Sequence, residues 1–152
     1  MIGAIRAQSG NQVVSVLSSD AARGVAYAKD QDIPRAFTDL DAQLADVVDA
    51  VYISTTNEKH FSQAMAAIAA GKHVLCEKPL AMTVEDAVTM FRAAYSAGVN
   101  LGTNHHLRNG CSHLNIKELV DTGRLVTVQA IRVAHAVYLP TNLQGWRIDN
   151  PS

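Results

Sequence analysis

No apolar run in this chain approaches the ~18 residues that a membrane-spanning helix needs. The opening Met1-Ile-Gly-Ala-Ile-Arg6 is too short for a signal peptide, and Arg6 interrupts it. Cysteine is nearly absent: Cys76 and Cys111 are the only two, unlike a disulfide framework. Neither sign of charge dominates. With 13 Lys and Arg against 14 Asp and Glu the formal net charge is −1, which leaves no basic footprint for nucleic acid. Aromatics are scarce at 5%, while hydrophobic residues reach 48% and alanine abounds, which favours helices packed on a sheet over a disordered chain. Internal repeats and low-complexity linkers are missing too. These absences predict a soluble protein of a reducing, cytoplasmic compartment, with no membrane and no nucleic-acid partner. The 152 residues suffice for one ordinary domain and its core.

What is present is an alternation of short strands and helices. Residues 1 to 9 read as a helix end stopped at Gly10. Gln12 to Ser18 is a β-branched strand. Asp20 can cap the helix Ala21 to Asp30. Ile33 to Phe37, with its proline, suits a short edge strand, and Asp39 to Ala45 a short helix. Asp49 to Ser54 is a second firm strand, followed by the loop Thr55-Thr56-Asn57. A helix from Glu58 to Ala70 has Phe61, Ala64, Met65, Ile68 and Ala69 on one face, and Gly71 stands as its C′ residue. Thr83 and Asp86 resemble a capping box. The helix they open has a stripe of Val84, Ala87, Val88, Phe91, Ala94 and Tyr95 expected to be buried, and Gly98 ends it. Val99 to Gly102 is another strand. Such alternation predicts βαβ units and a parallel sheet. Beyond Arg108 the pattern changes to a helix, Ser112 to Thr122, a stop at Gly123, and a long strand from Leu125 to Val137. That strand is expected to open a second, sheet-rich domain.

One stretch organises the rest. Lys72-His-Val-Leu-Cys-Glu77-Lys78-Pro79 contains a short apolar run, His73 to Cys76, that reads as a buried strand. It stops at Glu77-Lys78, and Pro79 forbids further ladder pairing. In open α/β sheets ligands sit outside the carboxyl ends of the strands. The pattern therefore delivers a lysine to the place where such folds keep their chemistry. A cation there can stabilise a developing alkoxide and relay a proton; a surface lysine at a strand end is the alternative. Glu77 either orients Lys78 or caps a turn.

Asp49-Ala-Val-Tyr-Ile-Ser-Thr-Thr-Asn57, His60 and Ala70-Gly-Lys-His-Val-Leu-Cys-Glu-Lys-Pro-Leu80 resemble the Gfo/Idh/MocA oxidoreductases (glucose-fructose oxidoreductase, inositol 2-dehydrogenase and relatives). The Ala-Gly-Lys-His-Val-x-x-Glu-Lys-Pro string is specific, and the resemblance covers essentially the whole chain, Ile2 to Ser152. It implies an α/β fold. A partial Rossmann-type doubly wound parallel sheet over 1–103 would bind NAD or NADP, followed by the start of an α+β open-sheet domain over 104–152. The implied activity is hydride transfer between the nicotinamide and a hydroxyl carbon of a sugar, cyclitol or dihydrodiol. A small-molecule substrate and a homo-oligomeric intact version go with it. Two departures qualify the match. The family's opening strand and Gly-x-Gly-x-x-Gly turn are not in this sequence, and its later aspartate and histidine would lie beyond Ser152. The chain thus reads as an interior piece of a longer enzyme, expected to bind cofactor weakly by itself and to be inactive alone. The other reading is a non-catalytic remnant or interaction fragment.

The resemblance implies that Lys78 contacts the substrate hydroxyl near the nicotinamide, with Glu77 among the cofactor-side residues. Thr55, Thr56 and Asn57 match a Thr-Pro-Asn loop facing the cofactor; capping of the following helix by Thr56 or Asn57 is the local alternative. His60 matches the family's histidine three residues on, though a histidine in a first helical turn also caps or packs. Ser18, Ser19 and Arg23 stand where Rossmann enzymes read the adenosine ribose. NAD-preferring ones place an acidic residue at that strand end, and a serine here leans toward NADP. Arg108 matches an arginine beside the nicotinamide, and His105 or His106 suit the substrate pocket. Trp146 matches a family Trp-Arg, with a substrate role or simple burial open to it. His105, His106, Cys111 and His113 fit no common zinc spacing, so no metal is expected.

Overall fold

The computed structural model describes residues 1–134 together with 136 and 138. The chain divides into two compact units, Met1–His106 and Leu107 onward. In order, the first unit has α1 (Ile2–Arg6), β1 (Ser15–Leu17), α2 (Ala21–Asp30), β2 (Arg35–Phe37), α3 (Leu40–Leu44), β3 (Ala50–Ile53), α4 (His60–Ala69), β4 (His73–Cys76), α5 (Val84–Ala97) and β5 (Leu101–Thr103). A 3₁₀ turn, Asn57–Lys59, precedes α4, and α6 (Cys111–Asp121) lies in the second unit after a further 3₁₀ turn, His106–Asn109.

Among the described residues all strand pairs are parallel, and they form two sheets. Ser15, Val16 and Leu17 of β1 align with Arg35, Ala36 and Phe37 of β2. In the second sheet β4 lies between β3 and β5, with Ile53 beside Cys76 and Cys76 beside Thr103. Local chemistry sets the helix boundaries. Asp20, Asp39 and Thr83 each accept a hydrogen bond from the backbone N–H three residues on, Arg23, Ala42 and Asp86 respectively, satisfying a donor that the first turn leaves free. Gly98 ends α5 at φ +68°, in the left-handed region where a Cβ is costly. At Gly24 the reason for glycine is space: a Cβ there would lie 3.0 Å from the Ser18 Cβ, so α2 can approach β1 closely only without a side chain. Arg6 donates to the carbonyls of Gln31 (2.6 Å) and Asp32 (2.8 Å), tying α1 to the end of α2 where carbonyls lack helical partners.

The core belongs to the second sheet. Ile53, Val74 and Cys76 from the strands meet Ala64, Ala67 and Ile68 of α4, Met90 and Ala94 of α5, and Leu44 of α3. Elements α4 and α5 pack against each other and on this sheet. Element α3 is the bridge. Leu44 enters the core, while Gln43 donates to the Ser15 hydroxyl (3.2 Å) and Asp46, just past the helix, pairs with Arg35 at 2.8 Å.

Four expectations need correction. The apolar run of β4 is not buried throughout: Val74 and Cys76 face α4 and α5, whereas His73 and Leu75 point out on the opposite face, Leu75 38% exposed. Helices cover only one side of this sheet among the described residues. Most of the α5 stripe is turned outward, with Val84 82%, Phe91 64% and Tyr95 81% exposed; of its members Ala94 reaches the core as expected, and Met90, outside the stripe, joins it there. Small side chains decide this, because Ala87, Ala93 and Ala94 let the helix lie close to its neighbours while Met90 fills the remaining space. On α4 it is Ala67, not Ala69, that joins the buried face. The long strand from Leu125 is not formed over 125–134. Gly123 and Val126 both adopt positive φ, and Val126 donates back to the Gly123 carbonyl (2.9 Å), a turn that prevents extension. Residues 135 and 137 of that segment lie outside the described residues.

Candidate functional site

The carboxyl ends of β3, β4 and β5 lie side by side, and each delivers a polar residue. Tyr52 belongs to β3, Glu77 follows β4 and Asn104 follows β5. Backbone bonds carry the register past the strands: Glu77 N–H donates to the Ile53 carbonyl (2.9 Å) and Asn104 N–H to the Cys76 carbonyl (2.7 Å). Strand alternation then puts Tyr52, Glu77 and Asn104 on one face, opposite the helices. There the Tyr52 hydroxyl donates to Glu77 Oε1, Asn104 Nδ2 donates to the same oxygen at 2.7 Å, and the Lys78 backbone N–H donates to Glu77 Oε2 at 3.3 Å. The hydrogen bond from Tyr52, more than any other contact, holds the Glu77 carboxyl below its ordinary range. Burial first, and the adjacent carboxylate second, push the Tyr52 phenol up to about 12. Glu77 is thus an ionised, multiply bonded carboxylate.

Lys78 follows immediately. It is exposed, and among the described residues its ammonium has neither an ion-pair nor a hydrogen-bond partner. The Lys78–Pro79 peptide bond is cis. On the far side, the Pro79 carbonyl lies 2.7 Å from His60 Nδ1, and His60 Nε2 lies 3.2 Å from the Thr55 carbonyl. Both partners are acceptors, so a neutral imidazole donates to one of them, and its tautomer decides whether the loop after β3 or the turn after Lys78 receives that bond. His60 is fully buried. Its ring lies between these two carbonyls.

The remaining sequence-derived candidates fall into three groups. Thr55 donates to Gln63 Oε1 (2.7 Å) and Thr56 to Glu58, so neither hydroxyl caps the following helix and the capping alternative is not realised; no side chain caps the turn or α4. Asn57 begins the 3₁₀ turn. At the other sheet, Arg23 Nε donates to Ser18 Oγ (3.3 Å) and Nη2 to Ser19 Oγ (2.9 Å), with Asp20 capping α2 beside them. This gathers Ser18, Ser19 and Arg23 into one polar cluster at the carboxyl end of β1. His105 is exposed after β5, and His106 and Arg108 are exposed on the 3₁₀ turn His106–Asn109. Arg108 belongs to the second unit. Trp146 lies outside the described residues. Among the described residues no three His, Cys, Asp or Glu side chains are grouped to hold a metal ion, and no helix is long and apolar enough to cross a membrane. Burial keeps the Cys76 thiol protonated, pushing it up to about 11, so it is packing rather than a nucleophile. Tyr52 and Asn104 carry no motif signal of their own; only the strand register shows that residues 25 and 27 positions from Glu77 reach its carboxylate.

In open parallel α/β sheets ligands, dinucleotides among them, bind in the crevice outside the carboxyl ends of the strands, which is where Glu77 and Lys78 stand. Residues 1–105 match the Gfo/Idh/MocA model, described as an oxidoreductase family with an NAD-binding Rossmann fold. The chain belongs to the Gfo/Idh/MocA family. It is 56% identical over 152 residues to a 1,5-anhydro-D-fructose reductase of Ensifer adhaerens, covering 99% of this chain and 45% of that protein. It is 30% identical to an NADP-dependent scyllo-inositol 2-dehydrogenase of Bacillus subtilis, covering 89% of this chain and 40% of the other. Among solved structures, an NAD-binding oxidoreductase from Klebsiella pneumoniae matches with a TM-score of 0.69 and 35% identity, over 72% of this chain and 29% of that one. This Gfo/Idh/MocA chain therefore spans less than half the length of the curated relatives it matches.

A nicotinamide dinucleotide would find hydroxyls and a guanidinium at the Ser18–Ser19–Arg23 cluster, and Thr55, Glu77 and Lys78 at the ends of β3 to β5. No Gly-x-Gly-x-x-Gly occurs in the sequence to cradle a pyrophosphate.

Proposed function

We propose that this chain carries the lysine-bearing part of an NAD(P)-linked oxidoreductase acting on a hydroxyl or carbonyl carbon of a sugar, cyclitol or dihydrodiol-like substrate. Its residues 1–103 belong to the dinucleotide domain and 104–152 open the substrate domain. The nicotinamide supplies or accepts the hydride. Lys78 does the rest of what this chain can do to the reacting carbon: its ammonium hydrogen-bonds the substrate oxygen, stabilises negative charge as it develops there and delivers a proton in reduction, and its neutral amine form receives the hydroxyl proton in oxidation. The observation that carries this reading is an unpartnered ammonium between two residues, Glu77 and Pro79, that are each bonded to neighbouring segments. Thr55, Thr56 and Asn57 line the cofactor side. In this reading Arg108 belongs with the cofactor-binding residues and His105, His106 and Trp146 with the substrate-binding ones, and an intact version forms homo-oligomers. Ser18 and Arg23, with no acidic residue at the end of β1, support NADP over NAD. The protein works in the cytoplasm.

The test replaces the matching segment of the Ensifer adhaerens reductase with this chain and follows NADPH oxidation with 1,5-anhydro-D-fructose. Lys78→Ala in that chimera is expected to lower kcat by about 10²–10⁴-fold, the range of a positioned proton donor, with NADPH affinity nearly unchanged. An unchanged kcat removes Lys78 from the mechanism. The 152-residue chain alone is expected to bind NADPH weakly or not at all, for want of a phosphate-binding turn; saturation at micromolar NADPH by calorimetry contradicts this.

A further inference from the structure

The Glu77 carboxylate stands one residue before Lys78, and yet it does not pair with the lysine ammonium. Lys78 is the cation whose field reaches Glu77, and a half-buried carboxylate beside an exposed ammonium would ordinarily pair with it. Here both carboxylate oxygens already accept hydrogen bonds that fix the direction of the group. Oε1 accepts from Tyr52 and from Asn104 at 2.7 Å, and Oε2 accepts from the Lys78 backbone N–H at 3.3 Å. The donors come from the two strands flanking β4, so the carboxylate is fastened across three strand ends. We propose that Tyr52 and Asn104 are positioning residues for Lys78: by holding Glu77 on the sheet face they keep its carboxylate from pairing with the neighbouring ammonium, which stays available to a substrate oxygen. The proposal rests on the reading of Lys78 as the substrate-facing group, but its physical content is separate from that reading.

Each part of the arrangement is required. Removing either donor frees a lone pair on Oε1, and removing both leaves Glu77 with a single long backbone bond. A freed carboxylate satisfies itself with the closest cation. The lysine then spends its protons on Glu77 and gives them up less readily. Removing Glu77 itself should leave Lys78 unpaired again, so the effect of losing Tyr52 and Asn104 must vanish when Glu77 is neutral.

That reversal is the test, and it needs only the 152-residue chain. Acetylation rates of individual lysines at pH 8 are measured by peptide mass spectrometry, with Lys29 and Lys72 as internal standards in every variant. In Tyr52→Phe/Asn104→Leu the Lys78 rate is expected to fall about three- to tenfold, as an ammonium gaining an anionic partner does. Tyr52→Phe alone, which removes one oxygen and leaves the ring, is expected to give about a twofold to threefold fall on the same grounds. Adding Glu77→Gln to either should restore the wild-type rate. A merely structural role predicts something different: any loosening raises the Lys78 rate, moves Lys29 and Lys72 with it, and is not reversed by Glu77→Gln. An unchanged Lys78 rate in Tyr52→Phe with unchanged standards overturns the proposal, as does a fall that persists with Glu77→Gln. If the reversal is seen while Lys78→Ala keeps its turnover in the chimera, the positioning stands and the catalytic reading falls. If turnover collapses without the reversal, the converse holds.

Discussion

The two sheets of the first unit are built alike and held differently. Both are parallel, both are crossed by capped helices, and both present a polar cluster at their carboxyl ends. The β3–β4–β5 sheet owns the core, with Met90, His60 and Cys76 fully buried around it. The β1–β2 pair has no comparable interior. Gly24, Ala28 and Ile33 are its buried residues, and polar tethers supply the rest: the Asp20 cap, the Arg23 bonds to two serines, and the Arg35–Asp46 pair. Burial of a large apolar side chain is worth about 1.5–3 kcal/mol, whereas an exposed ion pair contributes about 0–1. Stability is therefore concentrated where Lys78 is displayed, and the Ser18–Arg23 cluster sits on the looser half. A site that must hold one ammonium in place gains from a rigid base, while a phosphate-reading cluster tolerates adjustment.

Mutations can break this contrast. The largest loss is expected from Met90→Ala, about 2–5 kcal/mol from lost burial and the cavity left behind, read as a fall in the urea midpoint. A loss under 1 kcal/mol would mean that the core is not centred on α5. His60→Ala comes next, at about 2–3 kcal/mol, because it empties a fully buried site and leaves a carbonyl without its donor. Its signature is loosening confined to the segments around Thr55 and Pro79, visible as faster amide exchange there. On the other half, Asp20→Ala should cost about 1 kcal/mol, the worth of one N-cap. A larger cost would mean that the β1–β2 half depends on that cap more than an ordinary helix does.

Alkali sharpens the comparison further. The Tyr52 phenol titrates near 12 in the folded chain against 10.0 ordinarily. Between these values the unfolded chain has released a proton that the folded chain keeps, so the contribution is fully present below pH 10 and is lost as the pH rises toward 12. Urea midpoints at pH 9 and pH 11 should therefore converge in Tyr52→Phe relative to wild type; parallel losses would show that Tyr52 does not hold its proton. The smallest effect belongs to Phe91→Gln. Its ring is outward and stacks only on Tyr95, centroids 6.4 Å apart, so stability should change by no more than about 0.5 kcal/mol.

How much of this was legible in the sequence depends on how local each feature is. Asp20 and Thr83 announce their helices because a cap is a contact three residues long. The strand that stops at Glu77-Lys78-Pro79 could be read because proline and charge punctuate the chain. The family string named Lys78. The facing of α5 could not be read, since Val84, Val88, Phe91 and Tyr95 make as regular a stripe as Met90 and Ala94 with their small neighbours, and only packing chooses between them. The partners of Glu77 were hidden for a related reason. Tyr52 lies inside a strand and Asn104 just past one, and only the parallel register brings them together at Glu77. His60 was singled out by its position, but its place between two backbone carbonyls follows from burial that no local pattern encodes.

One consequence of α3 remains. Among the described elements it alone packs against both the β1–β2 pair and the helix layer of the other sheet. Five residues thus act as the coupling through which the two halves sense each other's folding. With Leu44 in place the unit is expected to melt as one cooperative body; with that side chain removed, amide exchange should resolve two foldons of unequal protection, the Lys78 half outlasting the Arg23 half.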